Sequence, residues 1–402
     1  MIPPPKESLI VRESDPSLST PFYNPDISYE DNFEQGPFGE FANGKKYEYA
    51  GVPTHKFLGK TLHGVFGISA GPLLNANYVM AALDHGYPIA VYKTVRSVPW
   101  ASQGMPNIKA LEIDPKDFSL DRAVEGIETS NRYKSPLTAT NSFGVPSTHP
   151  DEWQPDMKKA VDYAKEGQMV IGSFQGTTRP GASFDEYVED WQNTADLVIE
   201  TGARVIEANL SCPNQGKEGI VCLDIDASEM IVRAIRERIG DKVKFGIKMT
   251  NFGLVPGKPD ALRDFVARIG PYVDYVAAIN TIPTRTLNPD GSPAFGPDRT
   301  STGACGSEIK PYALSMVQRC AEYRDELGLD FSIIGIGGVD HPSDYTEFRL
   351  AGADAVMGAT GPIFKPSLGR EVHMYYPNAE DETNYLAQLR SNGYVQEDVY
   401  LS

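Results

Sequence analysis

Apolar positions in this chain come in short blocks separated by longer amphipathic stretches, and the rhythm begins only after residue 55. Eight blocks stand out: GVFGISAG (64–71), IAVYKTV (89–95), MVIGSFQG (169–176), RVIEANLS (204–211), VKFGIKMT (243–250), YVAAINT (275–281), FSIIGIGG (331–338) and AVMGAT (355–360). They are rich in β-branched residues and too short for buried helices, so they read as strands buried on both faces. Between most of them lie stretches with helical apolar spacing, such as SFDEYVEDWQNTADLVIETG, DASEMIVRAIRERIG, KPYALSMVQRCAEYRDELG and SDYTEFRLAGA. Eight strand–helix units predict an α/β chain closed into a (β/α)8 TIM barrel. A doubly wound sheet uses the same units, but the first block is not followed by the G-x-G-x-x-G turn that goes with it.

Two regions fall outside the rhythm. Residues 1–55 are rich in Pro, Asp, Glu, Ser and Tyr without periodicity, which predicts an N-terminal arm, the remainder (56–402) being the barrel. The arm's aromatic residues Phe22, Tyr23, Phe33, Phe38, Phe41, Tyr47 and Tyr49 predict that it packs on something. Residues 96–167, between the second and third blocks, are too long for an ordinary loop and contain LTATNSFGVPSTHP, which predicts an insertion over the barrel mouth.

Composition narrows the partners. With 54 acidic residues against 37 basic and a net charge of −17, the chain is a poor match for nucleic acid or an anionic membrane surface. It opens MIPPPKESLIVRESDPS, without a secretory pattern, and has no run of 18 apolar residues, so a soluble cytoplasmic protein is expected. Its four cysteines, Cys212, Cys222, Cys305 and Cys320, lack the spacing of a zinc or iron–sulfur site, and no metal is expected.

The blocks end in glycine or polar residues, and in a barrel such ends converge at one face. Lys93 and Lys248 each stand near the end of an apolar run, where lysine is a poor packing residue and instead suits an anion or an electron-rich ring. Asn141, Asn209, Asn214 and Asn280, with Thr281, offer the paired donors and acceptors that a planar imide or amide ring needs, although each could alone be a turn or cap. Gly337, Gly338 and Gly358 could let backbone N–H groups approach a phosphate after the last two strands, or could simply make tight turns. Cys212, in ANLSCPN, could be an inert thiol, a nucleophile or a general base.

Taken together, GISAG, YKT, NSFGVP, NLSCPN, IKM, INT, GACGSEIKP, IIGIGG and MGATG resemble the dihydroorotate dehydrogenase family over about residues 57–370. The resemblance implies an FMN enzyme of pyrimidine biosynthesis that oxidises dihydroorotate to orotate. Cys212 would remove the C5 proton while FMN accepts the C6 hydride, and a cysteine at this place resembles the soluble class 1. Lys93, Asn141, Phe143, Gly144, Val145, Asn209, Asn214, Asn280 and Thr281 would then hold the substrate. Ala70, Gly71, Lys93, Lys248, Gly303, Gly337, Gly338, Gly358 and Ala359 would hold FMN. A homodimer is implied, with fumarate rather than an electron-transfer subunit as acceptor. LNPDGSPAFGPDRTSTGACGSEIKP also resembles dihydropyrimidine dehydrogenases, so dihydrouracil-type chemistry is the second reading and a non-catalytic pyrimidine-binding barrel the third.

Overall fold

A computed structural model describes residues 18–211, 220–254 and 260–393. The eight predicted blocks form strands β1 (Phe66–Ile68), β2 (Ile89–Val95), β3 (Met169–Phe174), β4 (Val205–Asn209), β5 (Lys244–Met249), β6 (Tyr275–Ala278), β7 (Ser332–Ile336) and β8 (Ala355–Gly358). They pair in parallel in chain order, and β8 pairs back onto β1, so the sheet closes as a (β/α)8 TIM barrel. Every residue of β2, β3 and β4 is buried, because helices cover the outer face and side chains fill the inner one.

Local signals start the helices. Ser183 and Glu186 form a capping box at Phe184–Glu200, Asp224 caps Ile225–Ile239, and Asn75 accepts from two amides at the start of Ala76–Asp84. The insertion is shorter than the sequence predicts, because its last part, Pro150–Tyr163, is the helix that connects β2 to β3. Its earlier part supplies strands Ile108–Leu111, Ile127–Ser130 and Ala139–Asn141. These join Ile282–Leu287 and Ser301–Ala304, which follow β6, in a second closed sheet of five strands.

The arm shares the barrel's core. Phe22 and Tyr23 are fully buried, and Phe22 stacks on Phe41 at 4.4 Å. Ser19 and Phe22 donate backbone hydrogen bonds to Phe364 and Ile363, beyond β8. A short helix, Tyr29–Gln35, is capped by Ser28 and held by Tyr78, whose hydroxyl donates to the Asn32 carbonyl at 2.7 Å. Elsewhere the helix Ala379–Ser391 is pinned by buried Glu382, which accepts from Arg349 Nε at 2.6 Å and Tyr345 at 2.8 Å and lies 3.0 Å from His55 Nε2. Among the described residues no helix is long and apolar enough to cross a membrane.

Candidate active site

The C-terminal ends of the barrel strands open into a cleft of about 1050 Å³, counting its open mouth. Ala70 and Gly71 reach it from the end of β1, Lys93 from β2, Asn209 from β4 and Lys248 from β5. Asn280 and Thr281 follow β6, Gly337 and Gly338 follow β7, and Ala359 follows β8. The insertion contributes Asn141, Phe143, Gly144 and Val145. Residues scattered over nearly three hundred positions thus meet because parallel strands all end at one face. Cys212 and Asn214 lie outside the described residues.

Two glycines predicted for the cofactor stand behind the lining. Gly303 pairs with Asn141 in the second sheet, and a Cβ there would lie 2.2 Å from Thr281 Oγ1, so its bareness makes room for Thr281. A Cβ on Gly358 would meet Pro362 Cδ at 2.8 Å. Gly337 and Gly338 line the cleft at φ +129° and +75°, which fits the tight turn that the sequence offered beside phosphate approach. Side chains rarely adopt these angles, and a Cβ on Gly338 would lie 2.7 Å from Lys310 Cβ.

The amides are already organised. Asn280 Nδ2 donates to Ser211 Oγ at 3.1 Å and to Asn209 Oδ1 at 3.4 Å, while Asn209 Nδ2 donates to Gln175 Oε1 at 3.3 Å. The backbone N–H of Thr281 donates to Asn280 Oδ1 at 2.9 Å. Lys93 and Lys248 are both buried, and Lys248 Nζ donates to the Ala70 carbonyl at 3.2 Å. The register sets Lys248 beside Asn209.

Three further residues, Glu207 behind the lining and Ser69 and Cys305 in it, were not among the site candidates read from the sequence. Glu207, two residues before Asn209 on β4, is fully buried; burial pushes its carboxyl up to about 7, against the pull of Lys248 and a hydrogen bond from Ser173. Its place inside RVIEANLS, an acid in an apolar strand, was the available clue. Ser69 lines the cleft with a buried hydroxyl that has no hydrogen-bond partner among the described residues. Cys305 also lines it; burial and nearby Glu308 push its thiol up to about 12, which leaves it protonated and a weak nucleophile at neutral pH. Glu308 Oε1 accepts from the Cys305 and Gly306 amides at 3.1 and 3.0 Å and so fixes this loop. Among the described residues no group of acids, histidines or cysteines could hold a metal ion.

These features fit FMN. A buried lysine can face an electron-rich ring, the unpartnered Ser69 hydroxyl is available to a ligand, and the turn at Gly337–Gly338 presents bare backbone to the cleft.

Comparison with known proteins adds an independent line. The family model described as dihydroorotate dehydrogenase matches residues 124–371. A dihydroorotate dehydrogenase from Dictyostelium discoideum is 30% identical over 370 residues, which span 89% of this chain and 97% of that protein. The catalytic subunit of dihydroorotate dehydrogenase B (NAD(+)) from Thermoanaerobacter sp. is 27% identical over 70% of this chain and 85% of its own length. The PreA subunit of NAD-dependent dihydropyrimidine dehydrogenase from Escherichia coli is 33% identical, but the match spans only 44% of this chain and 42% of PreA. Among solved structures, DHODH from Eimeria tenella, in complex with ferulenol, superposes with a TM-score of 0.61 at 18% identity, covering 85% of this chain and 87% of that one, and supports the fold alone.

Proposed function

This chain belongs to the dihydroorotate dehydrogenase family, and from that premise we propose that it is an FMN enzyme that oxidises dihydroorotate to orotate. The observation that carries the reading is the convergence, in one cleft, of two buried lysines and the hydrogen-bonded amides Asn209 and Asn280. A planar ring with alternating carbonyl and N–H groups matches those amides, and its carboxylate matches a cation.

Lys248, Ala70, Gly71, Gly337, Gly338 and Ala359 would hold FMN, which supplies the hydride acceptor when bound. Lys248, whose ammonium is positioned by the Ala70 carbonyl, would stabilise negative charge on the reduced cofactor. Lys93 and the backbone of residues 143–145 would hold the substrate carboxylate, and Asn141, Asn209, Asn280 and Thr281 the ring. Asn214 belongs to the same set by its place in NLSCPN. Cys212, directly after buried Ser211, would take the C5 proton, next to a carbonyl that the amides polarise.

Fumarate is the acceptor in this reading, and the enzyme a cytosolic homodimer. The acidic composition and the free thiols Cys222, Cys305 and Cys320 accord with a reducing compartment. Dihydrouracil is the second substrate reading, on the partial likeness to PreA. Anaerobic mixing with each substrate separates the two: flavin bleaching by dihydroorotate and not by dihydrouracil is expected, and the reverse would reassign the substrate.

A further inference from the structure

The substrate-side wall of the cleft is a short loop with an unfavourable backbone. Gly144 and Val145 have φ of +81° and +51°. For β-branched Val145 that angle is an outlier, which persists only where its surroundings over-determine it. Three sets of contacts do so. Buried Arg96 donates from Nε to the Val145 carbonyl at 3.0 Å, and the Gln103 amide donates to the Phe143 carbonyl at 3.0 Å. The third set comes from the arm. Tyr23 meets the Phe143 ring edge-to-face at 5.4 Å and 88°, and Tyr29 meets it at 6.2 Å and 65°.

Both tyrosines are buried, and the backbone that carries them is anchored to three other parts of the molecule. Phe22 is tied to Ile363 beyond β8, Asn75 Nδ2 donates to the Phe33 carbonyl at 2.8 Å, and Ser102 of the insertion donates to Glu30 at 2.6 Å. Among the described residues the buried Tyr23 hydroxyl has no partner, so its ring and not its oxygen makes the favourable contact with Phe143.

We propose that the N-terminal arm is a positioning element for the substrate subsite: Tyr23 and Tyr29 clamp Phe143 from behind and hold the 143–145 backbone in its substrate-binding conformation. The inference rests on the reading of this cleft as a dihydroorotate site. An extension outside the barrel thereby becomes part of the affinity for substrate without touching it.

The test uses FMN-loaded full-length protein, comparing Tyr23→Leu/Tyr29→Leu with Tyr23→Phe/Tyr29→Phe, which keeps both rings, and with Tyr49→Leu, which removes the arm's stacking on His63 at 4.2 Å, a contact that does not involve Phe143. Two ring contacts of ordinary strength correspond to roughly a 10-fold or greater loss of affinity. The Leu pair should therefore raise the orotate Kd, read from the flavin absorbance shift, and the KM for dihydroorotate by about that factor. Its flavin content and kcat should stay near wild type. The Phe pair and Tyr49→Leu should bind orotate normally. In ligand-free protein, amide exchange across residues 142–147 should quicken in the Leu pair and in neither control. Unchanged exchange in the Leu pair, or equal quickening in Tyr49→Leu, overturns the clamp whatever the substrate. Absence of an orotate shift in wild type, with the exchange pattern as expected, overturns the substrate assignment and leaves the clamp standing.

Discussion

At the scale of single residues, the cleft divides into groups whose chemistry interrupts an expected pattern and groups whose chemistry does not. Lys93 and Lys248 are conspicuous because a lysine in an apolar strand needs a reason, and both line the cleft. If Lys93 pairs with the substrate carboxylate, Lys93→Ala should weaken orotate by about 2–5 kcal/mol and uracil far less, as measured by ligand titration of the flavin spectrum. Equal losses would point to a flavin role instead. Cys212 carries a separate expectation. Cys212→Ala should retain flavin and orotate binding but slow anaerobic flavin reduction by roughly 10²–10⁴-fold, the usual contribution of a positioned base. Cys212→Ser should recover as pH rises, since a hydroxyl is a far weaker acid than a thiol; near-normal reduction in the alanine variant would make Cys212 a packing residue. Ser69 was legible only as one of the polar strand ends that converge in a barrel, and Cys305 carried no such signal: a cysteine in a loop is ordinary in sequence, and only the closing of the second sheet brings it to the cleft.

At the scale of elements, legibility follows burial and locality. The barrel strands could be read because burial on both faces writes a nearly continuous apolar run into each, and Ile89–Val95 coincides with its predicted block from end to end. The second sheet could not. Ile282–Leu287 alternates, and the pairings that close the sheet, to Ile127–Ser130 and between Ser301–Ala304 and Ala139–Asn141, span more than a hundred residues, a relation that no local window contains. The helix Pro150–Tyr163 was hidden inside the insertion by two prolines. The glycine turn after β7 lies between these cases: its position was legible, with phosphate approach and a tight turn as its two readings. The backbone angles and the crowding against Lys310 require glycine for the turn even without a ligand. Gly338→Ala should therefore both lower thermal stability and reduce the flavin-to-protein ratio on purification. A variant with full flavin and unchanged melting would show that the turn relaxes freely and would remove Gly338 from the cofactor site.

At the scale of the whole molecule, four buried groups give stability an asymmetric dependence on pH. Burial lowers His373 to about 4, with His63 and His55 adding to the effect, so the unfolded chain binds a proton between about pH 6.5 and 4 that the folded chain refuses. That contribution to stability is present above about 6.5 and lost as pH falls through 4. Glu382 is raised by burial, but the His55 hydrogen bond and the Arg349 charge win and bring it down to about 2, so its contribution is lost as pH falls from about 4.5 through 2. Glu207 and Glu308 act in the opposite sense. Burial raises each to about 7, so the folded chain keeps protons that the unfolded chain releases, and stability is lost as pH rises from about 4.5 through 7. Each difference of about 2.5 pKa units corresponds to about 3 kcal/mol. Between pH 4.5 and 6.5 one rising contribution opposes two falling ones, so for these groups the balance lies on the acid side of neutrality. Urea unfolding of the FMN-loaded protein at pH 4, 5, 6, 7 and 8 measures the slopes. His373→Phe should flatten the gain between pH 4 and 6.5, and Glu207→Gln should flatten the loss between pH 5 and 7. The slope is the decisive quantity for Glu207→Gln, because its absolute stability also reflects Lys248, which loses a neighbouring negative charge. A Glu207→Gln slope equal to wild type would mean that Glu207 is ionised in the folded state across the whole range, its charge held by Lys248 against the cost of burial.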